Sequence, residues 1–143
     1  MVRTILTGSY RKHSACDSVE ARRLKAYNCP VEATVDVIGG KWKAPILWHL
    51  RSGTKRFSEL KKLVPNITER MLTQQLRELE ADGVVARKVH PIVPPKVEYS
   101  LTGFGSSLGP VLELMCAWGM KWQGRLDDLQ ARTEKRAISI TTR

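Results

Sequence analysis

The chain has 143 residues, 42% hydrophobic and 27% charged, with 24 Lys and Arg against 14 Asp and Glu, for a formal net charge of +10. Length and composition are those of one ordinary globular domain; they exclude a disordered chain, and no apolar run reaches the roughly 18 residues of a membrane span. Three widely spaced cysteines, Cys16, Cys29 and Cys116, argue against a disulfide framework and for a reducing, cytoplasmic setting. Residues 1–15 carry Arg3, Arg11 and Lys12 but no apolar stretch of signal-peptide length, so export is not expected. The basic excess favours a polyanionic partner, because neutralised phosphates release counterions.

Residues 1–28 are polar and weakly periodic and read as an N-terminal arm, with a short helix through 18–27. Pro30 suits the first turn of a helix, Val31, Val35 and Ile38 follow at i, i+4, i+7, and Gly39-Gly40 stop it. A second helix carries Trp42, Ile46, Leu47 and Leu50, accepts Pro45 near its start and ends at Gly53. Lys55-Arg56-Phe57 offers no more than a stub of strand. Ser58 is expected to cap a third helix with Leu60 and Leu63 inward.

Val64-Pro65-Asn66-Ile67 reads as a turn, and Thr68 as the cap of a helix through 68–82, with Ile67 packing on Leu72 as a hydrophobic staple. That helix buries Leu72, Leu76 and Leu79 beside Met71, and Asp82-Gly83 end it. Its opposite face carries Glu69, Arg70, Thr73, Gln74, Arg77 and Glu80. The arrangement is the helix-turn-helix pattern, whose periodicity an αα-hairpin shares. Two β-rich runs, 84–90 and 96–101, joined by Pro91-Ile92-Val93-Pro94-Pro95, form a hairpin behind it: a wing.

Thr102 caps the longest helix, about 103–126, which Gly103, Gly105 and Gly109 weaken and Pro110 bends. On a wheel of about 100° per residue, its apolar side chains, Phe104 and Leu114 among them, cover an arc of roughly 160°, more than a small domain can use. Leu108, Val111, Leu112, Met115, Trp118 and Trp122 are therefore expected to meet a second copy of the chain. Residues 127–143 read as a polar C-terminal tail. The expected fold is mainly α (α+β): a winged helix-turn-helix over 29–126 with a long C-terminal dimerisation helix.

Catalysis has no support. His13, His49 and His90 are far apart, and no nucleophile elbow, glycine-rich phosphate loop or HExxH is present. His13-x-x-Cys16 has metal-like spacing without a second pair, so neither a metal nor a cofactor is expected. The outward face of the fourth helix suits DNA instead. Arg70 and Arg77 can pair with guanine O6 and N7, Gln74 with adenine, and Thr68 and Thr73 with phosphate or a thymine methyl. Lys55, Arg56 and Ser58 lie at the start of the preceding helix, where phosphate is favoured. Lys88, His90 and Lys96 lie on the wing and are placed to follow the backbone or minor groove.

Six segments occur in order: Cys29-Pro30-Val31-Glu32, Gly39-Gly40-Lys41-Trp42, Arg56-Phe57-Ser58-Glu59-Leu60, the run 70–79 from Arg70-Met71-Leu72 to Leu79, Val97-Glu98-Tyr99-Ser100-Leu101-Thr102, and Trp118-Gly119. Together they resemble the HxlR-type winged helix-turn-helix transcriptional regulators, distant relatives of the MarR type, over about residues 28–122. The arm of 1–28 is longer than that pattern needs, and Gly103 stands where a better helix former is usual. The resemblance implies a homodimeric bacterial DNA-binding protein of the cytoplasm and nucleoid. Its terminal helices would form the dimer, and it would read a pseudo-palindromic operator as a repressor.

Cys29 stands directly before Pro30, where orphan N–H groups and the positive end of the helix dipole favour negative charge. Some proteins of the type it resembles sense oxidants or electrophiles through a cysteine there, which makes Cys29 a redox-sensor candidate with Cys16 as a resolving thiol. Cys116 reads as inert. The alternative is a regulator of the same fold with no thiol switch, responding to a small ligand in a pocket lined by Trp42, Trp48, Trp118 and Trp122.

Overall fold

The structure is a computed structural model that describes residues 25–141, with side chains through 137. The helix expected through 18–27 lies outside the described residues except at 25–27, which are irregular; His13 and Cys16 lie outside them as well.

Helix α1 (Pro30–Ile38) begins on its proline and ends where Gly39 N–H donates to the Val35 carbonyl at 2.7 Å. Helix α2 (Lys43–Leu50) holds Pro45 in its first turn, where no intrahelical N–H is lost. Strand β1 (Lys55–Arg56) leads directly into α3 (Phe57–Leu63), and α4 (Glu69–Ala81) follows the turn. Thr68 caps α4 by accepting the Met71 N–H at 3.1 Å, and Ile67 and Leu72 are both buried in the core beneath it. Gly83, at φ +73°, supplies the left-handed turn out of α4 that a side chain would strain.

Strands β2 (Val85–His90) and β3 (Lys96–Leu101) pair antiparallel from Val85↔Leu101 to His90↔Lys96. The stub β1 adds to the other side of β3 through Lys55↔Tyr99 and Arg56↔Glu98, giving the order β1-β3-β2. Ile46, Leu47, Leu60, Leu72, Leu76, Leu79 and Val84 form the centre of the core, all essentially inaccessible. One hydrophobic centre thus holds α2, α3, α4 and the root of the wing together.

Several expectations need correction. Ser58 does not cap α3; Arg56 holds the cap position and its backbone N–H donates to the Glu59 carboxylate at 2.6 Å. This leaves Ser58 exposed within the first turn. Leu60 is buried with Val64, whereas Leu63 is exposed: the inward pair follows i, i+4, and Leu63 falls to one side of it. Val31 and Val35 are also exposed, and α1 meets the core through Ile38 and Val37.

The long helix is two helices. α5 (Gly103–Ser106) is a single turn, and α6 runs from Gly109 to Thr141. Thr102 joins them to the head: its hydroxyl accepts the Gly105 N–H at 2.9 Å and donates to the Gly83 carbonyl at 2.6 Å. Gly105 is buried there, and a Cβ on it would collide with the Val84 carbonyl oxygen, so its place is set by close approach rather than by helix weakening. Pro110 starts α6 instead of bending it, because a first-turn proline loses no bond. Beyond 126, where a polar tail was expected, Leu129, Gln130, Ala131, Arg132 and Glu134 carry α6 on without Gly or Pro.

Candidate nucleic-acid interface

Helix α4 divides its circumference cleanly. At about 100° per residue, Leu72, Leu76 and Leu79 fall in an arc of roughly 60° facing the core, and Arg70, Arg77 and Gln74 fall in an arc of similar width on the far side. The first three are buried and the second three exposed. Thr68 is exposed at the N-terminus, and Thr73 is half-buried, with its hydroxyl donating back to the Glu69 carbonyl at 2.8 Å. Two Arg guanidinium forks and one Gln amide therefore project from a helix whose opposite face is anchored in the core. Rigid presentation of that kind is what bidentate base contacts require.

The wing stands beside this face. Thr73, Arg77 and Glu80 of α4 and Arg87 and Tyr99 of the sheet line a shallow cleft of about 210 Å³ between helix and wing. Arg87 is a residue that sequence reasoning missed. Its signal was the strand alternation, which puts Arg87 on the same face as Val85, leading out of the buried root towards α4. Glu80 tempers the positive charge of Arg77 and Arg87 in this cleft.

The wing cations are not equivalent. Lys88 is exposed. Lys96 Nζ lies 2.7 Å from Glu98 Oε1, and His90 Nε2 lies 2.7 Å from Glu98 Oε2. The Lys96 hydrogen bond first, and the His90 contact second, hold the Glu98 carboxyl down at about 2. Cross-strand pairing explains the cluster, since His90 and Lys96 are directly opposed and Glu98 lies two residues along. Lys96 and His90 are thus committed to the sheet, and Lys88 and Arg87 are the freer cations. Lys55 and Arg56 lie in β1 at the other edge, with Arg56 exposed beside Ser58.

A buried charge lies behind the exposed face of α4. Lys43, the first residue of α2, is 6% exposed, and its Nζ lies 2.8 Å from Glu78 Oε2 on α4. The spacing Lys43, Ile46, Leu47, Leu50 already placed this lysine on the apolar face of its helix.

Cys29 is exposed at the N-cap of α1; its carbonyl accepts the Glu32 N–H at 3.0 Å, and the Glu32 carboxylate accepts the Asn28 N–H at 3.1 Å. Cys116 is exposed on α6. Of the side chains expected at a dimer contact, Val111, Met115, Trp118 and Trp122 are exposed, Trp118 by 65%. Leu112 is 3% exposed and belongs to the core, and Leu108 packs against it. These two face the head because α6 must lay one turn against α2. The four tryptophans do not converge on one pocket. Trp42 packs on the core, Trp118 and Trp122 stack with ring centres 6.0 Å apart, and Trp48 lines a groove of about 370 Å³ with Ala44, Pro45, His49, Leu112, Met115 and Cys116.

Comparison with known proteins is consistent throughout. The chain is 61% identical over 103 residues to the uncharacterized HTH-type transcriptional regulator YdeP of Bacillus subtilis (strain 168), covering 72% of this chain and 80% of that protein. The oxidized form of the redox regulator HypR superposes with a TM-score of 0.63 at 59% identity, covering 65% of this chain and 96% of that one. The reduced form of HypR gives 0.67 at 55% identity, covering 70% and 99%. Residues 37–127 match the HxlR-like helix-turn-helix family model. Helix α4, the turn before it and the wing lie within that span, and the chain belongs to the HxlR-like helix-turn-helix family of DNA-binding transcriptional regulators.

Proposed function

We propose that the protein is a cytoplasmic homodimeric repressor that reads a pseudo-palindromic operator through α4 and the wing, and that oxidation of Cys29 switches it. The observation that carries the reading is the exposed Arg70, Gln74 and Arg77 arc, directly opposite the buried leucines of the same helix. Arg70 and Arg77 suit guanine and Gln74 adenine. Thr68, Thr73, Arg56, Ser58, Lys88 and Arg87 supply phosphate contacts around them, with Lys96 contributing less because Glu98 holds it. The exposed stripe of Val111, Met115, Trp118 and Trp122 supports dimerisation. Two copies then place two reading helices on half-sites about one helical turn, or a multiple, apart. A dimer on promoter DNA represses by occupancy.

Support for the thiol switch is the exposed Cys29 at a helix start and the similarity to HypR, a redox regulator known in oxidized and reduced forms. The groove beside Trp48 supports a second reading, in which a small apolar ligand rather than an oxidant is the effector. Selection of bound sequences from randomised duplex DNA, with reduced and with mildly oxidised protein, tests these readings. A palindromic motif recovered only in the reduced pool supports the repressor and its switch. The same motif in both pools removes the switch and leaves the ligand reading. No motif in either pool overturns the operator reading.

A further inference from the structure

Gln74 does not project freely into solvent. Its Nε2 donates to Glu78 Oε1, one turn along α4, at 3.3 Å, while Glu78 Oε2 lies 2.8 Å from the buried Lys43 ammonium. The two contacts use different carboxylate oxygens, so both hold at once. A carboxylate only accepts, so the amide of Gln74 must turn its nitrogen towards Glu78; the flipped amide would set oxygen against oxygen.

Lys43 has no advantage to its own helix. It sits in the first turn of α2, at the positive end of the dipole, with its side chain 7% exposed. A cation is tolerated there because Glu78 is opposite, and removing either partner leaves the other a poorly compensated charge. The pair therefore anchors Glu78 from behind, through an element that does not itself lie on the reading face.

We infer that Lys43 and Glu78 are positioning residues for base reading, holding the Gln74 amide in the one orientation that offers its carbonyl oxygen and second N–H to an adenine edge. This rests on the reading of α4 as the base-contacting helix. Adenine presents an N6 donor and an N7 acceptor in the major groove, and Gln74 meets both with the atoms that Glu78 leaves available. The amide is thereby ordered before DNA arrives, so discrimination at one base pair depends on residues that do not touch that base.

The test uses the full-length protein and duplex selection, with affinities then measured for all four base pairs at each half-site position. Wild type and Gln74→Ala together identify the base pair that Gln74 reads. Glu78→Gln keeps the shape but carries one acceptor oxygen where two are used. Its expected effect is a fall of about tenfold in preference for adenine at that pair, with preferences elsewhere unchanged. Lys43→Met combined with Glu78→Leu removes both charges of the pair together, so that no unpaired buried ammonium is left behind if Glu78→Gln loses stability. It is expected to lose the same preference while thermal melting stays near wild type. Unchanged preference at the Gln74 pair in both variants overturns the inference while leaving the operator reading standing. An equal loss of affinity for every sequence also overturns it, since that is what a merely structural ion pair would produce. No motif in wild type overturns both.

Discussion

Residues 38–101 and the helix that follows them treat their apolar side chains in opposite ways. In the head, the leucines of α4 meet Ile46, Leu47, Leu60 and Val84, and each is shielded by neighbours from the same chain. Along α6, Leu112 is the one buried side chain among the described residues, and Leu114, Met115, Trp118, Met120, Trp122, Leu126 and Leu129 are exposed. At about 1.5 Å per residue, its 33 residues extend roughly 50 Å, far longer than the head can cover. The head holds its own core, whereas the apolar surface along α6 is left uncovered by the described residues. The head and α6 therefore rest on different physical footings, one closed and one open.

Breaking the closed side has the largest expected effect. Leu76→Ala leaves a cavity at a site 1% exposed, and urea denaturation should register a loss of about 2–5 kcal/mol. A loss far below that range would mean the head is not packed as described. Breaking the open side should separate association from folding. Trp118→Asp is expected to weaken the dimer by about 30-fold or more, a hot-spot-sized effect. Sedimentation equilibrium would read it, with the circular dichroism of the head unchanged; undisturbed association would remove α6 from the interface.

Two smaller effects sharpen the comparison within the head. Thr68→Ala removes the acceptor of the Met71 N–H and should cost about 1 kcal/mol, close to its expected loss in the absence of DNA. Denaturation of the free protein measures it, and a neutral result would show that water replaces the cap. The smallest effect belongs to the wing. Because Lys96 and then His90 hold the Glu98 carboxyl at about 2, below its ordinary 4.5, the contribution of this cluster is complete above about pH 4.5. It is lost as the pH falls towards 2. Carboxyl NMR should place the Glu98 titration in that range, and Glu98→Gln should abolish the associated change in the wing amides. A midpoint near 4.5 would show that the cluster does not persist in solution.

Much of the head was legible from residue order. The caps at Thr68 and Thr102, the leucine spacing of α4 and the two β-rich runs each carry local chemistry that points to one conformation. Errors arose where local chemistry was shared or incomplete. Ser58 and Arg56 both preceded an apolar run, and the Glu59 carboxylate decided which would start α3. The glycines before α6 resembled weak helix positions, while Gly105 is there because the Val84 carbonyl lies against it. The exposed face of α4 was legible, because Arg70, Gln74 and Arg77 fall opposite the leucine stripe on the same helix. Spacing put Arg87 and Lys43 on a face of their own elements but did not reveal that Arg87 meets α4 or that Lys43 pairs with Glu78, because those partners are distant in sequence.

By itself, the sequence determined the helices and strands between Pro30 and Leu101 and the apolar side of α4, because capping, periodicity and strand alternation act within a few residues. Only the tertiary structure decided what each apolar or charged face would meet. Leu112 turned inward while Trp118 stayed exposed, Val31 and Val35 were left outside a core that took Ile38, and Lys43 was buried against Glu78. A periodic pattern defines a face but carries no information about the distance or direction of its partner. Burial depends on that partner, and it is fixed when separate elements pack.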